Sequence, residues 1–155
     1  MRKLLACVIT AIAAIAFRPV SGIAAPQKVA CSLLTTAQVT AALGGPVSAG
    51  KPMTREACQW SQPGKGDDLL KTDVTLMTIE RFNRFKTATN ATVTAVSGLG
   101  DDAYYWTRPA DAMRITLCVR KGESAVFINV YGGKKPLAEY QSKEKAMAEA
   151  LLSAL

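Results

Sequence analysis

Few residues in this chain are equipped for chemistry, and one type is missing altogether. None of the 155 residues is a histidine. Ser-His-Asp and Cys-His nucleophile systems, HExxH metal sites and ordinary imidazole acid–base work are therefore excluded. Gly98, Gly100 and Ala103 fall in the order G-x-G-x-x-A, the letters of a dinucleotide fingerprint. That fingerprint must open a helix, whereas Tyr104, Tyr105 and Trp106 continue as an aromatic strand. Asp101 and Asp102 would also repel a pyrophosphate. The run reads instead as a tight turn. A calcium loop on the same two aspartates lacks ligands at further alternate positions. Asp67 and Asp68 read as a solvated turn, and no carboxylate pair stands out for glycoside hydrolysis. Tyr104, Tyr105 and Trp106 could stack on a ligand, but an aromatic strand reads first as core packing. No metal, no cofactor and no catalytic set is expected, so the chain reads as non-enzymatic.

The cysteines point to a compartment. Arg2 and Lys3 precede an uncharged run over 4–17, long enough for the apolar part of an export signal and too short to span a bilayer. Small residues follow at Gly22, Ala24 and Ala25, and cleavage is expected after Ala24. Cys7 lies inside the apolar run, not after it as lipid attachment requires, and would leave with the signal. The remainder, 25–155, is one domain by length and carries no transmembrane segment. It keeps Cys31, Cys58 and Cys118. In a periplasmic or extracellular setting one disulfide and one unpaired thiol are expected, with three pairings open. Loss of Arg2, Lys3 and Arg18 lowers the formal charge from +7 to +4. With no basic run longer than two residues, nucleic acid is not an expected partner.

The elements that must position these residues carry local signals. Thr35 and Gln38 form a capping box, and Leu34 and Val39 occupy the hydrophobic-staple positions. Gly44, Gly45 and Pro46 stop that helix after two to three turns, as left-handed cap and helix breaker. A strand is expected over 57–61, with Cys58 and Trp60 on one face, and another over 73–79. Residues 80–88 read as a short amphipathic helix with Phe82 and Phe85 inward, and 103–107 as the aromatic strand. The C-terminal helix is expected over 137–155. Leu137, Tyr140, Met147, Leu151 and Leu155 would share a stripe, with Glu139 and Lys143 as an i,i+4 pair.

The best-defined unit is a hairpin over 113–131. Met113, Ile115, Leu117 and Val119 alternate with polar neighbours, and Lys121-Gly122 is read as a two-residue turn. That turn sets Arg120 opposite Glu123, Leu117 opposite Val126, Ile115 opposite Ile128 and Met113 opposite Val130. One face is then apolar. The other carries Arg114, Thr116, Cys118, Phe127, Asn129 and Tyr131.

Several of these runs together resemble a family of small bacterial exported proteins and lipoproteins catalogued as a domain of unknown function. They are Cys31-Ser-Leu-Leu-Thr, the Ala-Leu-Gly-Gly helix end, Cys58-x-Trp60, the Val96-to-Tyr105 run and Val119-Arg-Lys-Gly122. Members of that family resemble extracellular sensor-type domains. The resemblance spans nearly all of 25–155 and implies that Cys31 and Cys58 are the paired cysteines, leaving Cys118 as the unpaired thiol. It implies no activity. Two departures are the missing lipid-attachment box and the extra Cys118.

The expected fold is α+β, an antiparallel sheet with helices packed mainly on one face and a disulfide staple. The expected function is a periplasmic or secreted binding protein for an unidentified protein or small molecule. Its candidate binding face is the one opposite the helices, with Arg114, Phe127, Asn129 and Tyr131 as anchors. Cover of that face by another segment of the chain is the competing reading. The alternative function is an inhibitor of an envelope or extracellular enzyme, presenting the 98–102 loop and Tyr104 to Trp106.

Overall fold

The structure, a computed structural model, describes residues 28–64, 69–109 and 114–155. The export signal, Asp67, Asp68, and the Met113–Val130 pairing lie outside them. Local signals set the first helix, α1 (Thr36–Leu43). The Thr35 hydroxyl accepts from the Gln38 N–H at 3.2 Å, and the Gln38 side chain accepts from the Thr35 N–H at 2.8 Å. Leu34 and Val39 are both buried beside this cap. Gly44 closes the helix at φ 77°, a left-handed cap that a side chain would strain. An eight-residue helix is too short to stand alone. Lys143 from the C-terminal helix supports it by donating to the Leu43 carbonyl at 2.8 Å.

Among the described residues the sheet has seven antiparallel strands: β1 (Lys51–Pro52), β2 (Ala57–Ser61), β3 (Lys71–Met77), β4 (Thr92–Val96), β5 (Asp102–Thr107), β6 (Ile115–Lys121) and β7 (Ser124–Tyr131). Their spatial order is β1-β2-β3-β7-β6-β5-β4. After β3 the chain crosses to the far edge through α2 (Ile79–Lys86). It then winds back through β4 to β7, which closes the sheet against β3. The strand expected over 73–79 ends at Met77 because Thr78 caps α2, its hydroxyl accepting from the Arg81 N–H at 3.2 Å.

The two faces have separate cores. On one, α1 and α3 (Leu137–Leu151) cover Trp60, Val74, Leu117, Val119, Val126 and Ile128. Cys31 and Cys58 form a disulfide that ties the turn before α1 to β2. On the other, α2 lays Phe82 and Phe85 over Tyr104, Cys118 and Phe127. The fold is thus α+β and disulfide-stapled, with α1 and α3 on one face and α2 on the other. Among the described residues no helix is long and apolar enough to cross a membrane.

Two sequence expectations are corrected. The hairpin turn is Gly122-Glu123, not Lys121-Gly122: Lys121 faces Ser124, Val119 faces Val126 and Leu117 faces Ile128. Gly122 sits at φ 56°, the positive value that the first central position of such a turn takes. The shift is two residues, so every side chain keeps the face expected of it. The C-terminal helix ends at Leu151, and Leu137 stands 41% exposed at its start, outside the buried stripe. The buried positions are Tyr140, Glu144, Met147, Ala148 and Leu151.

Candidate functional site

The ladder between β6 and β7 stops early. Their pairing ends at Leu117 and Ile128, while β7 stays paired to β3 as far as Tyr131 and β6 to β5 as far as Ile115. The sheet is therefore split between two central strands at one end. From the α3 side, Glu144 enters the split and accepts the Val130 N–H at 3.0 Å. On the α2 side, the Thr116 hydroxyl donates to the Asn129 side-chain oxygen at 2.6 Å.

The α2 face is only half covered. Phe85 meets Phe127 and Trp106 edge-on, with centroids 4.8 and 5.1 Å apart, and marks where the cover ends. Beyond it opens a pocket of about 300 Å³ lined by Asp73, Trp106, Arg108, Arg114, Thr116 and Asn129. The strand registers place Gln59, Asp73 and Asn129 in one row, and Thr116 beside Trp106. Adjoining the row, the Tyr131 hydroxyl donates to Asp73 at 3.0 Å and accepts from Gln59 at 2.7 Å. Burial and the neighbouring Asp73 push the Tyr131 phenol up to about 12, so it remains a donor. The Arg114 guanidinium stacks on Tyr131 at 5.1 Å and that of Arg108 on Trp106 at 5.0 Å. Among the described residues, no carboxylate lies within ion-pairing distance of either guanidinium. The Trp106 indole N–H is shielded from solvent and has no hydrogen-bond partner among the described residues.

Of the four residues expected to form the binding face, the structure brings three together here. Arg114 and Asn129 line the pocket and Tyr131 supports its edge. Phe127 is elsewhere: it is 7% exposed beneath α2 and belongs to the second core. Sequence reasoning missed Asp73 and Arg108, and named Trp106 as an aromatic that could stack on a ligand without placing it beside Arg114 and Asn129. Asp73 was visible only as one polar residue in a strand, and its place in the row depends on β3 pairing with the distant β7, where it faces Asn129. Arg108 carried a signal in its position two residues after Trp106, on the same side of an extended chain.

Cys118 is fully buried, and burial raises its thiol well above the ordinary range. It is a core residue and no nucleophile. The 98–102 loop is also structural. Leu99 is buried, Asp101 accepts the Gly122 N–H at 2.7 Å, and Asp102 pairs with Lys86 at 2.6 Å. Tyr104 is buried with its hydroxyl donating to the Phe82 carbonyl. A larger, more open depression of about 620 Å³ lies near the start of α2, where Lys28, Arg55, Glu56 and Glu123 mix both charge signs with aliphatic wall.

Comparison with protein-family models, with curated proteins and with solved structures finds no match to this chain.

Proposed function

We propose that this chain is exported by its N-terminal segment, and that it acts as a non-enzymatic binding protein through the pocket at the split between β6 and β7. Its place would be with the small bacterial exported proteins that its cysteine, cap and turn motifs resemble. The observation that carries the reading is the pocket itself. Six polar or aromatic side chains from β3, β5, β6, β7 and the ends of β5 and β6 converge on one concavity. Its rigid floor is a sheet, and its walls include two stacked guanidiniums, the side-chain types that anchor recognition. The Cys31–Cys58 bridge supports an oxidising compartment. With no histidine and with Cys118 buried, the pocket holds recognition groups and no activated nucleophile.

The test is a fragment screen by amide and indole NMR on isotopically labelled protein recovered from the exported fraction. Shifts centred on Trp106, Thr116 and Asn129 are expected. Hits that map only to other surfaces, or none at all, would refute the reading. N-terminal sequencing of the same material checks export, with a start at Ala25 expected.

A further inference from the structure

We infer that the pocket selects a small carboxylate that also carries hydroxyl or amino donors, such as a sugar acid or a free amino acid. The inference rests on the binding reading above and names its ligand class. The pocket's lining carries both charge signs. Arg108 stands over Trp106 and Arg114 over Tyr131, each held by an aromatic face and neither in an ion pair among the described residues. A guanidinium fixed in this way keeps its fork of N–H donors free for a planar oxyanion, which it binds through two parallel bonds. Asp73 Oδ1 is already occupied by Tyr131 and Gln59. Among the described residues its second oxygen forms no hydrogen bond, which suits it to accept from a ligand hydroxyl or ammonium group. Along the strand order Asn129 and Thr116 lie between Asp73 and Trp106. Because the Thr116 hydroxyl donates to Asn129 Oδ1, the Asn129 amide group is left to donate and the Thr116 oxygen to accept. The lining thus offers two cations, mixed donors and acceptors and one anion, and its complement is an anion that also carries donors. A volume of about 300 Å³ lies at the small end for ligand pockets, which favours one sugar ring or one amino acid over a polymer.

Paired probes test this by NMR titration of the exported protein: D-glucuronate against D-glucose, and L-serine against L-serinamide. The inference expects at least one acid to shift Trp106, Thr116 and Asn129, and to bind about tenfold or more tightly than its uncharged-end counterpart. Arg108→Gln and Arg114→Gln should each remove that preference while leaving the thermal midpoint of the protein unchanged. A sugar-acid source and an amino-acid source are told apart by which pair responds. Equal binding of an acid and its counterpart would overturn the carboxylate inference and leave the binding reading intact. So would pocket hits in the fragment screen with no response to either acid. Shifts confined to other surfaces in both experiments would overturn both.

Discussion

Glu144 of α3 accepts the Val130 N–H at 3.0 Å, at the point where β7 has lost β6 as a ladder partner. One buried side chain thereby replaces a strand. The same gap in the ladder frees Thr116 and Asn129 to bond to each other on the opposite face, at the floor of the pocket. The sheet's defect and the candidate site are thus one feature seen from two sides. The Glu144 carboxyl is completely buried, and its second oxygen has no hydrogen-bond partner among the described residues.

Stability should therefore fall with rising pH. Burial raises the Glu144 pKa from 4.5 to about 9, against a smaller opposing pull from the Val130 N–H. Between those values the folded chain keeps a proton that the unfolded chain has released. Stability is then greatest below the unfolded value and is lost toward the folded one, at up to about 1.4 kcal/mol per pH unit. Tyr105, raised by burial and by Glu144 to about 12, does not titrate in this window. Urea denaturation from pH 5 to 9 should show the slope in the native protein and a nearly flat profile in Glu144→Gln. An unchanged slope in the variant would assign the effect to another group.

Phe127 and Tyr131 lie four residues apart on the same face of β7 yet should behave as different kinds of residue. Phe127 packs under α2 against Phe85, so Phe127→Ala should cost about 3–5 kcal/mol of stability. Tyr131→Phe removes only the hydroxyl that links Gln59 to Asp73, a loss of about 1 kcal/mol. Its larger effect should be on ligand affinity, through the placement of Asp73 and Arg114. Thermal denaturation with parallel titration separates them; similar stability losses would put Tyr131 in the fold as well.

What the sequence made legible was local. The Thr35 and Gln38 cap, the Gly44 stop and the alternation in the last hairpin are encoded within a few residues, and all are present. The face partition held even though the hairpin register moved by two, because alternation determines faces and the turn determines partners. Glu144 was legible in principle. It falls four residues after Tyr140 and three before Met147, inside the apolar stripe, where a carboxylate has to be explained. The pocket was not legible. It needs β3 beside β7 and an early end to the β6–β7 ladder, and neither long-range fact has a local signature. Which half of the sheet α2 would cover was equally hidden, since Phe82 and Phe85 show only that the helix has an inward side.

The disulfide carries much of the stability of the α1 corner. It joins residues separated by 27 positions, and on the chain-entropy account it contributes about 3–4 kcal/mol. Cys58 and Trp60 sit on the face covered by α1 and α3, and both are buried. Replacing Cys31 and Cys58 together by serine should lower the unfolding free energy by that amount and move the denaturation midpoint down with it. Loosening of α1 and α3 should appear as a red shift in Trp60 emission before global unfolding. A single unshifted transition at the native midpoint would show the bridge to be energetically idle.

Gly98 and Gly100 provide a contrast within one turn. Both adopt positive φ, 78° and 60°, so either alanine variant bears the left-handed strain of about 1–2 kcal/mol. At Gly98 a Cβ would meet nothing within 4 Å, and that strain should be the whole cost. At Gly100 it would run into the Arg120 carbonyl, the group that accepts the Asp101 N–H at 2.9 Å. Relief requires the turn to draw back from β6, which breaks that bond and pulls Asp101 from the Gly122 N–H that it holds across the hairpin tip. Gly100→Ala should therefore cost about 3–5 kcal/mol, well beyond Gly98→Ala, and raise hydrogen exchange at Gly122. Equal losses from the two variants would mean that the turn gives way without disturbing the hairpin.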